Sequence, residues 1–320
     1  MVDKWYLKGI LTEIWEENRM AAQTTEKRHA ASAGLDQRDP VEAAAFLYRA
    51  QAEAAAAATA CAPALPPAAR AMARTIRGGG TLHYVAAGSS ALMALADALE
   101  LEGTFGIDPA QVRIHMAGGV PQNSSMPGGT EDDAEAGAAA GALAGPADCV
   151  IALAASGRTP YTCAAAETAR DRGAAVIAIA NNADAPLLAL ASHPIHLPTP
   201  PEPVAGATRM GAGTAQKIAL NTLSTLMAIE LGHVHDGLMV NVQATNIKLR
   251  ARAEGIVAAA AQVSPEAARA ALTAAQGAVK PAILIARGAN DLADAEARLA
   301  AAGGVLRRAF AQFETPDTPA

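Results

Sequence analysis

Several things are scarce in this chain. Three cysteines among 320 residues (Cys61, Cys149, Cys163) are an odd number with no CxxC pair. Neither a disulfide framework nor a zinc ribbon is encoded, and a reducing compartment is the expectation. Aromatic residues make up only 3 %, so the core has to come from aliphatic and small side chains, above all alanine. Charged residues are few, at 18 %, and acidic ones outnumber basic ones 31 to 25, a formal net charge of −6. That balance argues against a protein built to grip nucleic acid or an anionic membrane surface. The longest apolar-looking stretch, around Ala54 to Ala69, is alanine broken by proline and too weakly hydrophobic to cross a bilayer. The first twenty residues alternate charge with apolar side chains, unlike a secretory leader. A cytoplasmic protein is expected. The seven histidines include HPIH (193–196) and HVH (233–235), but no acidic or cysteine complement stands at metal-ligand spacing, so no metal site is assigned.

What is present is ample material for a core: 51 % of residues are hydrophobic. The length suggests one large α/β domain with additions, or two domains. Residues 1–20 read either as a short amphipathic helix or as a stretch upstream of a start at Met20. Residues 21–40 are polar and aperiodic, an arm or loop. Residues 41–77 are alanine-rich and helical, interrupted near Pro63, Pro66 and Pro67. The character then changes. TLHYVA (81–86), RIHMAG (113–118), CVIALAAS (149–156), AAVIAIAN (174–181) and HPIHLPT (193–199) are brief apolar runs closed by small polar residues, with helical stretches between them. Buried strands alternating with helices predict a doubly wound, mainly parallel five-stranded sheet. Such sheets bind ligands at the carboxyl ends of their strands. A long helix is expected from Gly211 to about Gly232. Residues 242–313 then read as several helices without a strand, one of them opening at Ser264-Pro265.

Two strand-to-helix loops carry hydroxyls. AGSS (87–90) offers Gly88, Ser89 and Ser90, and ASGRTPY (155–161) offers Ser156, Gly157, Arg158 and Thr159. Each places hydroxyls beside the free N–H groups of a helix start, an arrangement suited to an anion. Each could equally be a plain helix cap. Neither GxGxxG nor GxxxxGK[ST] occurs, which points to a small phosphorylated ligand instead of a nucleotide. GATRMGAGTAQK (206–217) is a third glycine-rich segment, where Arg209 and Lys217 could balance phosphate charge, or simply be solvated. Glu100 and Glu131 are the carboxylates of interest. Spacing alone does not show that they meet, but a pair of carboxylates in one pocket can divide acid and base roles.

The motifs TEKRHAASAGLD (25–36), DALE (97–100), GGTEDD (128–133), ASGRTPY (155–161), RMGAGTAQKIALNTLST (209–225) and LMVNVQATNIKL (238–249) together resemble the N-acetylmuramic acid 6-phosphate etherases, a family of the sugar isomerase (SIS) domain superfamily. The resemblance runs from about Thr25 to about Phe310. It implies a SIS domain with leading helices over residues 41–241, preceded by an arm (1–40) and followed by a small helical subdomain (242–320). It implies a cofactor-independent homodimeric enzyme that converts N-acetylmuramic acid 6-phosphate into N-acetylglucosamine 6-phosphate and D-lactate. Glu131 is then the base at C2 and Glu100 the acid at the departing lactyl oxygen. Neighbouring subunits would help build the site. One departure stands out. The family's first loop continues as GTSGRLG, whereas here it reads GSSALMA, with Leu92 in place of an arginine. The same architecture also serves non-catalytic sugar-phosphate regulators and aldose–ketose isomerases, which are the alternative expectations.

Overall fold

The computed structural model describes residues 23–126, 128–244 and 247–314. The segment 1–20 lies outside the described residues. Residues 23–39 run as an arm with three 3-10 turns, at Thr24–Glu26, Ala30–Ser32 and Leu35–Gln37. Asp39 then starts α1 (Pro40–Ala57) by accepting the N–H groups of Val41 and Glu42, while Pro40 sits where its missing donor costs nothing. Pro63 falls in a 3-10 stretch, Ala58–Ala64, that separates α1 from α2 (Leu65–Arg77).

The five apolar runs form the five strands: β1 (Leu82–Ala86), β2 (Val112–Met116), β3 (Cys149–Leu153), β4 (Ala175–Ala180) and β5 (His193–His196). All pair in parallel, in the order β2-β1-β3-β4-β5. From β1 the chain steps outward to β2, then returns to place β3 on the other side of β1. The strand order therefore reverses between β1 and β3, and the crevice at their carboxyl ends is where such a sheet takes a ligand. The register sets Ala86 level with Met116 and Leu153, so the two hydroxyl loops leave the sheet side by side.

Alternation along the strands builds two cores. Leu82, Tyr84, Ile151, Leu153 and Ile179 face one layer, covered by α2, α3 (Gly88–Ala98) and α8 (Gly211–Glu230). Val85, Val150, Ala152 and Ala178 face the other, covered by α5 (Ala134–Gly141), α6 (Pro160–Asp171) and α7 (Pro186–Ala189). Burial on both faces is why the strands read as near-continuous apolar runs. Short α4 (Glu100–Phe105) follows α3 directly. A two-stranded hairpin of β6 (Val234–His235) and β7 (Leu238–Met239) leads to α9 (Ile247–Ala261), α10 (Pro265–Ala274), α11 (Val279–Ala286), α12 (Leu292–Ala301) and α13 (Leu306–Glu314). These helices close on their own apolar cluster, which includes Val257, Ile283, Leu284 and Leu306. Ser264 caps α10 by accepting from Ala267 N–H, as the sequence anticipates.

Small residues decide how closely helices approach. A Cβ on Gly137 would stand 2.1 Å from the Tyr161 carbonyl oxygen, and one on Gly141 2.2 Å from that of Ala165. Gly137→Ala is therefore expected to destabilise the protein by about 1–3 kcal/mol in urea unfolding, despite alanine's better helix propensity. A stability equal to wild type would contradict backbone contact between α5 and α6.

Between β1 and β2, His83 Nδ1 lies 3.0 Å from His115 Nε2 and the two rings stack. Burial, then repulsion from His83 and Arg113, pushes His115 down to about 4. Burial also lowers His83, against the pull of Asp148. In the unfolded chain a histidine titrates near 6.5, so between about pH 6.5 and 4 the unfolded state binds protons that the folded state refuses. Stability from this pair is complete above that window and is lost as pH falls through it. His115→Phe should flatten the loss of stability between pH 7 and pH 5, and an unchanged slope would contradict a neutral pair.

Candidate active site

The first hydroxyl loop leaves β1 at Ala86. Gly88 takes φ +53 and opens α3, with Ala87 in the cap position and no side chain capping the helix. Ser89 and Ser90 thus lie inside the first turn of α3 and do not close its N–H groups, so the plain capping reading does not describe them. Glu131 rides on a 3-10 turn, Thr130–Asp132, entered through Gly129 at φ +71. Its Oε2 lies 3.7 Å from where a Gly88 Cβ would stand. One carboxylate therefore sits at the amino end of α3, beside the first loop.

The second loop leaves β3 across the crevice. Gly157 is at φ +67, where a Cβ would meet Ala185 Cβ at 2.2 Å. Ser156 Oγ accepts Arg158 N–H at 3.2 Å, and Asn182 Nδ2 donates to the Ser156 carbonyl at 3.3 Å. Asn182 also donates to Thr25 Oγ1 and accepts Thr24 N–H, so the N-terminal arm braces this loop. Thr159 occupies the cap position of α6 without a side-chain cap bond. The Arg158 guanidinium is engaged by Asp184, with Nη2 donating to Oδ2 at 2.8 Å. The third segment behaves differently from the first two. The amino end of α8 is already filled by Glu202, buried at 2 % exposure, which accepts Gly211 N–H at 2.9 Å and Ala212 N–H at 2.8 Å. Arg209 is exposed ahead of that helix. That helix end offers an external anion no free amides.

Glu100 occupies the opposite end of α3. It opens α4, whereas the sequence suggests the tail of a single helix. A cavity of about 530 Å³ there is lined by Asp97, Glu100, Thr104, Lys217, Asn221 and Ser224, among others. Its floor is a polar network centred on Asp97. Asp97, at 2 % exposure, accepts the Tyr84 hydroxyl at 2.9 Å, Asn221 Nδ2 at 2.9 Å and the Ser224 hydroxyl at 3.0 Å. Burial pushes the Asp97 carboxyl above its ordinary value, while these hydrogen bonds and the charge of Lys217 pull the other way. Burial first, then Asp97, raises the Tyr84 phenol well above its usual range. The DALE, AQK and NTLS motifs carry the lining residues, and i, i+3 spacing of Asn221 and Ser224 is the signal that could have joined them.

The two acids are therefore separated within one chain. The 11 residues of α3, rising about 1.5 Å each, hold the Glu131 end and the Glu100 end roughly 16 Å apart. The α3 face turned away from the sheet is apolar: Leu92 is 38 % exposed, Leu99 is 67 % exposed and Ala96 is exposed between them. Ile218 and Ile229 on the neighbouring α8 are exposed as well.

The SIS domain family model matches residues 130–231, which carry β3, β4, β5 and the second hydroxyl loop. An N-acetylmuramic acid 6-phosphate etherase of Deinococcus radiodurans is 41 % identical over 298 residues, covering 92 % of this chain and 98 % of the relative. Etherases of the same name from Rubrobacter xylanophilus (38 % over 305 residues, 94 % of this chain and all of the relative) and Streptomyces avermitilis (41 % over 292 residues, 90 % and 93 %) align similarly. The chain belongs to the N-acetylmuramic acid 6-phosphate etherase family.

The cavity floor and its rim should respond differently to truncation. Asp97→Ala removes the acceptor of two buried hydroxyls, Tyr84 and Ser224, and of the exposed Asn221 amide, and is expected to cost about 2–4 kcal/mol. Glu100→Ala, at an exposed position, should change stability by less than about 0.5 kcal/mol. Equal effects in urea unfolding would contradict the network.

Proposed function

We propose that this protein cleaves the lactyl ether of N-acetylmuramic acid 6-phosphate, as a cytoplasmic homodimeric carbon–oxygen lyase of cell-wall sugar recycling. The phosphate sits at the switch-point crevice, against the amides and hydroxyls of Ser89, Ser90, Ser156 and Thr159. The sugar opens to its aldehyde, which acidifies the C2 proton. Glu131 removes that proton; it stands at the amino end of α3, whose dipole favours an anion. Electrons left at C2 form the C2–C3 double bond as the C3–oxygen bond breaks, and Glu100 donates a proton to the departing lactate oxygen. Water then adds across the conjugated double bond, hydroxyl to C3 and proton to C2, giving N-acetylglucosamine 6-phosphate. A positioned acid and base each supply about 10²–10⁴-fold.

The observation that carries the dimeric reading is the placement of the two acids at opposite ends of α3, with an apolar stripe between them. In a two-fold dimer the same patch meets itself. Packing α3 against its symmetry mate in antiparallel fashion buries Leu92, Ala96 and Leu99, and sets the Glu100 end of one chain against the Gly88 end of the other. Each site then takes Glu131 from one protomer and Glu100 from its partner. Leu92, which replaces the family arginine, becomes part of this apolar contact.

Complementation tests this directly. Purified wild type should release D-lactate from N-acetylmuramic acid 6-phosphate and not from the unphosphorylated sugar, and Glu100→Gln or Glu131→Gln should each lower the rate by at least about 10²-fold. Co-refolded with one another, the two inactive variants form hybrid dimers with one intact site, so about a quarter of wild-type activity should return on random pairing. No recovery in a mixture shown to contain hybrids would place both acids of a site in one chain.

A further inference from the structure

We propose that Lys217 is the specificity-determining residue that receives the lactyl carboxylate of the substrate, an inference that rests on the etherase reading above. Such a substrate carries two anionic groups far apart, a phosphate at C6 and a carboxylate on the lactyl ether. The hydroxyl loops at the sheet reversal account for the first. The second is attached through one carbon to the very oxygen that Glu100 protonates. Its counter-charge therefore has to stand on the Glu100 side of the site.

Lys217 is the one basic residue lining the Glu100 cavity among the described residues. It takes part in none of the ion pairs among the described residues. Asp97, on the cavity floor, attracts Lys217 but leaves its donors unused. One Asp97 oxygen accepts Asn221 and Ser224, the other accepts Tyr84, and no Lys217 bond is among them. Lys217, Asn221 and Ser224 recur at i, i+4 and i+7 on one face of α8, so the ammonium is presented from the same face that the network fixes. The other cations considered for the substrate are engaged or remote: Arg158 is paired with Asp184, and Arg209 is exposed ahead of α8. The first loop contributes none, because Leu92 stands there. Ala96, Leu101 and Phe105 line the rest of the same cavity and suit the lactyl methyl group.

The test compares N-acetylmuramic acid 6-phosphate with the methyl ester of its lactyl carboxylate, which is uncharged at that position and keeps the phosphate. Wild type should favour the acid by about 10- to 100-fold in kcat/KM, the value of one charge-assisted contact. In Lys217→Gln the preference should shrink to within about threefold, chiefly through a raised KM for the acid, and Lys217→Arg should restore part of it. If Lys217→Gln turns over too slowly to assay, the affinities of the two compounds measured by calorimetry carry the same expectation. A Lys217→Gln protein that still discriminates as wild type does would overturn the Lys217 assignment and leave the etherase intact. A wild type that releases no D-lactate from the acid would overturn the reading beneath it.

Discussion

Helix α3 sets the distance between Glu131 and Glu100, and the rest of the proposed site follows from that spacing. An α-helix does not compress, so 11 residues fix a separation of roughly 16 Å between the Gly88 turn and the Glu100 turn. No side-chain rotation closes such a gap. In the proposed reading one chain therefore carries two half-sites at opposite ends of a single rod. The sheet holds the amino-end half through β1 and β3, while α8 and Tyr84 hold the carboxyl-end half through Asp97. In the proposed dimer a two-fold partner brings the unlike halves together and covers an apolar stripe that a lone chain would leave wet.

The composition that looks poor in aromatics serves this arrangement. Ala91, Ala94 and Ala98 of α3 and Ala215, Ala219 and Ala228 of α8 are all buried in the layer over the sheet. Short side chains let both helices lie close to the strands and to each other, so polar groups on α8 reach Asp97 on α3. The same logic puts glycines where α5 meets α6. Polarity in this core is confined to networks whose donors and acceptors largely pair off, which is what burial of such groups demands.

Much of the fold was legible in the sequence because two-sided burial leaves a plain signature. The five apolar runs fall on the five strands, and the breaks at Pro63 and Ser264 fall where proline and capping chemistry require. The two hydroxyl loops were legible for the same reason: strand, glycine, hydroxyls, helix. Other features depend on tertiary contact and were not. Nothing local tells that Glu202 fills the start of α8, or that Asp184 engages Arg158. Asp97 reads as one more helix acid until Tyr84, Asn221 and Ser224 converge on it from two other elements. Glu100 and Glu131 are proposed as a pair only through the family resemblance, since within one chain they stand at opposite ends of α3.

The most direct measurement is a crystal structure of the Glu131→Gln protein with N-acetylmuramic acid 6-phosphate bound. It should show the phosphate against Ser89, Ser90 and Ser156 of one protomer, with the substituted amide side chain at position 131 of that protomer facing C2. Glu100 of the partner subunit should lie within hydrogen-bond reach of the lactyl oxygen. A sugar bound with both residues supplied by one chain, or in a crevice that no Glu100 approaches, would contradict the account.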